Sequence, residues 1–114
     1  MSAKKFYLKI ESVNGFNWTT KIFQNEMNET SCILEFQGQS DSKNNDINIY
    51  ADCILQSLDF VESDSELVVF SKNVFVTNTI SYWMKEVTDN HNGWLKLKQV
   101  LELKNIKVSA FTEY

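Results

Sequence analysis

Four acidic residues, Glu11, Glu35, Asp46 and Asp52, are of a type that could support hydrolysis or hold a metal if a fold gathered them. Their spacing argues against a cluster. Asp46 and Asp52 are six residues apart on what reads as one helix, so their side chains face different ways. Ordinary solvated acids account for them better. His91 lies in the turn-rich stretch Thr88-Asp89-Asn90-His91-Asn92-Gly93, with no serine or cysteine placed beside it by any motif, and reads as a lone surface histidine. Cys32 and Cys53 form no CxxC pair and have only His91 as a nitrogen ligand, so a structural zinc site is short of partners. Both read as reduced core thiols rather than as a disulfide or metal ligands. No nucleophile elbow, P-loop or dinucleotide fingerprint is present, and no cofactor is expected.

The cations point away from nucleic acid. All 11 basic residues are lysine and the net charge is −4, opposite in sign to a surface that tracks phosphates. The guanidinium fork that reads phosphate and guanine in bidentate fashion is absent. With 114 residues, 43% hydrophobic and 13% aromatic, the chain can build one core, and a single domain over 1–114 is expected. The residues from Met1 to Phe6 hold no apolar signal region, and no apolar run approaches the ~20 residues of a membrane span, so the expected compartment is the cytoplasm.

The elements that must position these groups follow from hydrophobic period. Phe6, Leu8 and Ile10 alternate with Tyr7, Lys9 and Glu11, which predicts a strand. Asn14-Gly15 suits a tight hairpin, and Asn17 to Gln24 resumes an aromatic and β-branched stretch. Thr30 to Gln37 alternates again, completing an antiparallel meander. From Ile47 the period changes: Ile47, Tyr50, Ala51, Ile54, Leu55 and Leu58 share one helical face. Leu67-Val68-Val69-Phe70 is a short apolar run expected in the middle of the sheet. Asn73 can cap a helix carrying Val76, Ile80, Trp83 and Met84. A further helix is predicted from about Trp94 to Leu103, and Ile106, Val108 and Ala110 alternate as a last strand. The expected fold class is α/β: a mixed five-stranded sheet, with a three-stranded antiparallel meander followed by parallel crossovers and about three helices.

That order resembles ribonuclease H. Leu67 to Val76, continuing to Ile80, Trp83 and Gly93-Trp94, looks like the family's fourth strand and following helix, where an apolar strand ends in Ser/Thr-Asp-Ser and leads to a Tyr-Val pair, a late Trp and a Gly-Trp. Asn44-Asn45-Asp46-Ile47-Asn48-Ile49 is similar to the family's Asn-Asn-x-x-Glu-Leu at the first helix, and Trp94 to Phe111 looks like its next helix and fifth strand. The resemblance implies two-metal hydrolysis of the RNA strand of an RNA–DNA hybrid by four carboxylates. Residue by residue, the first-strand aspartate is matched by Glu11, the first-helix glutamate by Asn48, and the aspartate after the fourth strand by Lys72. The last belongs to a helix after the fifth strand, beyond Tyr114. An ammonium beside two divalent ions costs on the order of several kcal/mol. No catalytic or metal site is therefore expected, and Glu11, Asn48 and Lys72 are read as vestigial positions. Lys72 is expected to pair with Glu11 across adjacent strands in the space of the missing metals. The alternative is a solvated lysine at a strand end.

Three functions follow as expectations. The first is a catalytically inactive ribonuclease H-like module acting in protein association or as a structural subunit, with a protein partner or a second copy and no membrane. The second is a non-cleaving binder of RNA–DNA hybrid or duplex, through Lys96, Lys98, Lys104 and Lys107 together with Lys4 and Lys5, disfavoured by the acidic balance. The third, a minor one, is a metal-dependent nuclease with a remodelled site. The aromatics Tyr7, Trp18, Phe23, Tyr50, Phe75, Tyr82, Trp83 and Trp94 exceed what one strip of core needs. The favoured reading is that helices or a second subunit cover them, and the alternative is a binding patch on the outer face of the meander around Tyr7.

Overall fold

A computed structural model describes residues 4–14, 17–25, 32–39, 46–83 and 94–113. Strands β1 (Lys5–Asn14), β2 (Asn17–Gln24) and β3 (Cys32–Gln39) form the predicted antiparallel meander. Helix α1 (Asp46–Ser57) runs into a 3-10 turn at Leu58–Phe60 and leads to β4 (Glu66–Ser71). Helix α2 (Val74–Asn78) continues as a π turn over Thr79–Trp83, and α3 (Trp94–Leu103) precedes β5 (Lys107–Thr112). The sheet order is β3-β2-β1-β4-β5, with β4 parallel to β1 and β5 parallel to β4. The meander therefore lies on one side of β1 and the crossovers on the other. The apolar run of β4 is interior, as its composition predicts, although β1 holds the middle place. No described helix is long and apolar enough to cross a membrane.

Strand alternation divides the sheet into two unlike faces. Phe6, Leu8, Ile10, Trp18, Ile22, Leu67, Val69 and Ala110 point to one side, where they pack with Ile49, Cys53 and Ile54 of α1, Val76 of α2, and Leu97 and Leu101 of α3 in one core. The opposite face carries Tyr7, Lys9, Glu11, Lys21, Phe70 and Phe111. Among the described residues every helix contributes to the first face. Helix α1 is held by Ile49, Ala51, Cys53 and Ile54, which are buried in the core, whereas Tyr50 and Leu55 of the predicted stripe are only partly buried, so the buried face is turned from the expected one. Helix α2 depends more on its cap: Asn73 Oδ1 accepts from Phe75 N at 2.9 Å. Val76 and Ile80 are buried as expected, and the π turn that follows lets the chain leave the helical register. The side chain of Trp83, together with Met84, His91 and the turn residue Gly15, lies outside the described residues.

Thr20 is an exception within the apolar face. Its side chain is fully buried on β2 opposite Ile10, and its hydroxyl has no hydrogen-bond partner among the described residues. A buried hydroxyl without a partner bears its desolvation cost uncompensated. Thr20→Val keeps the branched shape and is expected to raise the unfolding free energy by about 1 kcal/mol in a urea titration. A loss of similar size would mean that the hydroxyl is satisfied in solution.

Candidate functional site

Glu11 lies where the strand pairings change. β1 pairs with β4 from Lys5↔Glu66 to Lys9↔Phe70 and no further. Its pairing with β2 slips between Ile10↔Thr20 and Ser12↔Thr19, so Glu11 is the extra residue of a β-bulge. Alternation places it with Tyr7 and Lys9 on the face away from the helices. There its carboxylate lies 3.5 Å from Lys21 Nζ and 4.0 Å from Lys9 Nζ, while Lys9 also reaches Glu113 at 3.9 Å. These charges are about one-third exposed, so the network fixes side chains more than it stabilises the fold.

Lys72 does not take part. It sits in the bend after β4, is exposed, and makes no ion pair among the described residues. The expected Glu11–Lys72 pair is therefore replaced by Glu11 with Lys21 and Lys9, and Lys72 is the solvated strand-end lysine of the alternative reading. The physical reason is register: the β1–β4 ladder stops before these residues meet, and Lys9 is already on the same strand and face as Glu11. Around Lys72 the polar groups build the turn. Ser71 Oγ accepts from Asn73 N at 3.1 Å, and Asn73 then caps α2. Asn48 lies in the first turn of α1, and its side chain is outside the described residues.

The lysines proposed for nucleic acid do not all converge: Lys5 and Lys107 line one pocket together with Glu66 and Phe111, while others are engaged within the protein. Lys104 Nζ donates to the carbonyls of Leu58 at 2.5 Å and Val61 at 2.8 Å, bracing the 3-10 turn against the end of α3. Lys4 pairs with Glu62 at 2.9 Å. Lys96 and Lys98, two apart on α3, diverge around the helix. Lys107 opens β5, and Lys5 Nζ stands 5.5 Å from the Tyr7 ring centroid. Sequence reasoning missed the fixed role of Lys104, because its acceptors are some forty residues earlier in the chain.

The outer sheet face carries an aromatic row. Phe70 lies 6.2 Å from Tyr7 and 5.8 Å from Phe111, stacked with the latter at 26°. Tyr7 is thus part of an aromatic row on the face away from the described helices, and the row runs toward β4 and β5 rather than along the meander. Cys32 and Cys53 are free thiols. Burial, reinforced by the neighbouring Asp52 charge, pushes the Cys53 thiol far up, so it is a packing residue rather than a nucleophile. The described residues contain no group of three or more His, Cys, Asp or Glu side chains able to hold a metal.

No protein-family model matches the chain, and no curated protein matches it. Solved structures do. LC11-RNase H1 in complex with an RNA/DNA hybrid superposes with a TM-score of 0.56 at 8% identity, covering 96% of this chain and 84% of that one. A second structure of LC11-RNase H1, isolated from compost by a metagenomic approach, superposes with a TM-score of 0.51 at 10% identity, over 99% of this chain and 86% of that one. RNase H1 of the halophilic archaeon Halobacterium salinarum NRC-1 aligns over 98% of this chain and 87% of its own at 8% identity, with a TM-score of 0.47. The chain has a ribonuclease H-like fold.

Proposed function

We propose that this chain, a ribonuclease H-like fold in a single domain over 1–114, is a non-catalytic module that acts in the cytoplasm through protein association or as a structural subunit. The observation that supports this most is Glu11. Two-metal hydrolysis needs several carboxylates converging on one point. Here the acid at the first-strand position sits on a bulge, on the sheet face opposite the helices, and meets two ammonium groups. A divalent ion would have to displace both. The fourth-strand position is Lys72, which brings a further positive charge. Binding to a hybrid, the state in which one LC11-RNase H1 structure was solved, has weaker support here. Lys4 and Lys104 are engaged within the protein, and the net charge is −4.

The test is a labelled RNA–DNA hybrid incubated with the full chain and magnesium or manganese, with cleavage read on a gel and binding by anisotropy at rising salt. The expected outcome is no cleavage and flat anisotropy. Cleavage that Glu11→Ala abolishes would sink the non-catalytic reading. Saturable, uncleaved binding that weakens steeply with salt would transfer the function to nucleic acid.

A further inference from the structure

We infer that the sheet face away from the described helices binds an acidic, apolar segment of another protein, whose carboxylates meet Lys5 and Lys107 while its hydrocarbon side chains lie on Val68 and Phe111. This rests on the association reading above and names the surface and the chemistry of the partner. Register sets Lys5, Glu66 and Lys107 side by side across β1, β4 and β5. All three are exposed, and none of them makes an ion pair among the described residues. With Val68, Ser109 and Phe111 they line an open cleft. Val68 is buried at its floor, and Phe111 stands 55% exposed at its side.

Charge selects the sign of the occupant. The other ammonium groups on this face, Lys9 and Lys21, already meet Glu11 and Glu113. Around the cleft two open cations face the one carboxylate of Glu66. The chain as a whole carries −4 and repels an acidic segment, so this cleft is the selective place for one. Ring geometry selects its nature. Nucleic-acid bases bind an aromatic sheet by stacking on open ring faces. Here Phe70 stacks on Phe111 at 5.8 Å, and the Lys5 ammonium stands 5.5 Å from the Tyr7 centroid. Those faces are largely taken within the protein, and aliphatic side chains fit the row better than bases do. A protein segment that mixes carboxylate and hydrocarbon satisfies both halves of the cleft, whereas a nucleic acid satisfies the lysines alone.

The test is fluorescence anisotropy of the full chain with labelled peptides of one length: alternating Glu and Leu, alternating Glu and Ser, and alternating Lys and Leu. At low salt the Glu-Leu peptide is expected to bind saturably, and the other two roughly ten-fold more weakly or not at all. Lys107→Glu and Phe111→Ser are each expected to weaken the Glu-Leu peptide by about ten-fold, with circular dichroism confirming that both variants are folded. Lys96→Glu, the same change of charge on α3, is expected to leave it unmoved. No saturation, equal binding of the Lys-Leu peptide, or equal losses from Lys107→Glu and Lys96→Glu would overturn the inference. So would a labelled single-stranded RNA that binds the parent and is released by Lys107→Glu, since the occupant would then be nucleic acid. The readout is independent of hybrid cleavage: an active nuclease that held the Glu-Leu peptide would remove the non-catalytic reading and leave this site standing, and an inactive chain that ignored the peptide would do the reverse.

Discussion

Gly38→Ala is expected to lower the unfolding free energy by about 3 kcal/mol, the upper part of the range for overpacking a tight site. Gly38 on β3 is the cross-strand partner of Trp18 on β2. The Trp18 indole lies across it, so that an added Cβ would fall among the Cζ2, Cη2 and Cε2 atoms of the ring. Trp18 is 2% exposed and belongs to the core, so it has little room to yield. Here the glycine is needed for space and not for an unusual backbone angle. The control is the double variant. In a Trp18→Leu background the same replacement meets no ring, and alanine, which has the lower conformational entropy to lose, is expected to be neutral or stabilising. Equal costs in both backgrounds would show that the ring is not the cause.

Lys104→Met is expected to cost about 2 to 3 kcal/mol, because it removes a charge-assisted donor from two backbone carbonyls while keeping most of the apolar stem. Those carbonyls belong to Leu58, which opens the 3-10 turn after α1, and Val61, which follows it, and both side chains are buried. The same junction closes α3. Asn105 takes a positive φ of 55°, Ile106 N donates to Leu101 O at 2.9 Å, and Asp64 N donates to Lys104 O at 2.9 Å. Asn105 Nδ2 adds a bond to Asp64 Oδ1 at 2.8 Å. One lysine thus ties the exit of α1, the turn before β4 and the end of α3 together. Urea titration reads the cost directly, and a variant as stable as the parent would mean that water replaces the ammonium without loss. In either case Lys104 is a poor choice for a phosphate contact, since reaching outward would release both carbonyls.

Most of the architecture was legible in periodicity, because side chains must alternate on a strand and recur at helical spacing on a buried helix whatever else surrounds them. Phe6, Leu8 and Ile10 announced β1, the stripe from Ile47 to Leu58 announced α1, and α3 spans Trp94–Leu103 as the spacing predicts. Asn73 was legible as a cap because the bond it makes is local, two residues long. The chemistry of the candidate site was legible only as composition. The sequence alone established that the chain carries no arginine and a net negative charge, and it offered Asn48 and Lys72 at the acid positions only as an expectation from the resemblance. It could not show which lysines meet Glu11. That depended on a bulge between Ile10 and Ser12 and on where the β1–β4 ladder stops, both set by the joint packing of β2 and β4 against β1. Nor could it show that Lys104 is spent on Leu58 and Val61, or that Trp18 covers Gly38. Period and capping are short-range constraints written into neighbouring residues, whereas register, bulges and long side-chain contacts are settled when distant segments share one core, and only the tertiary structure decides them.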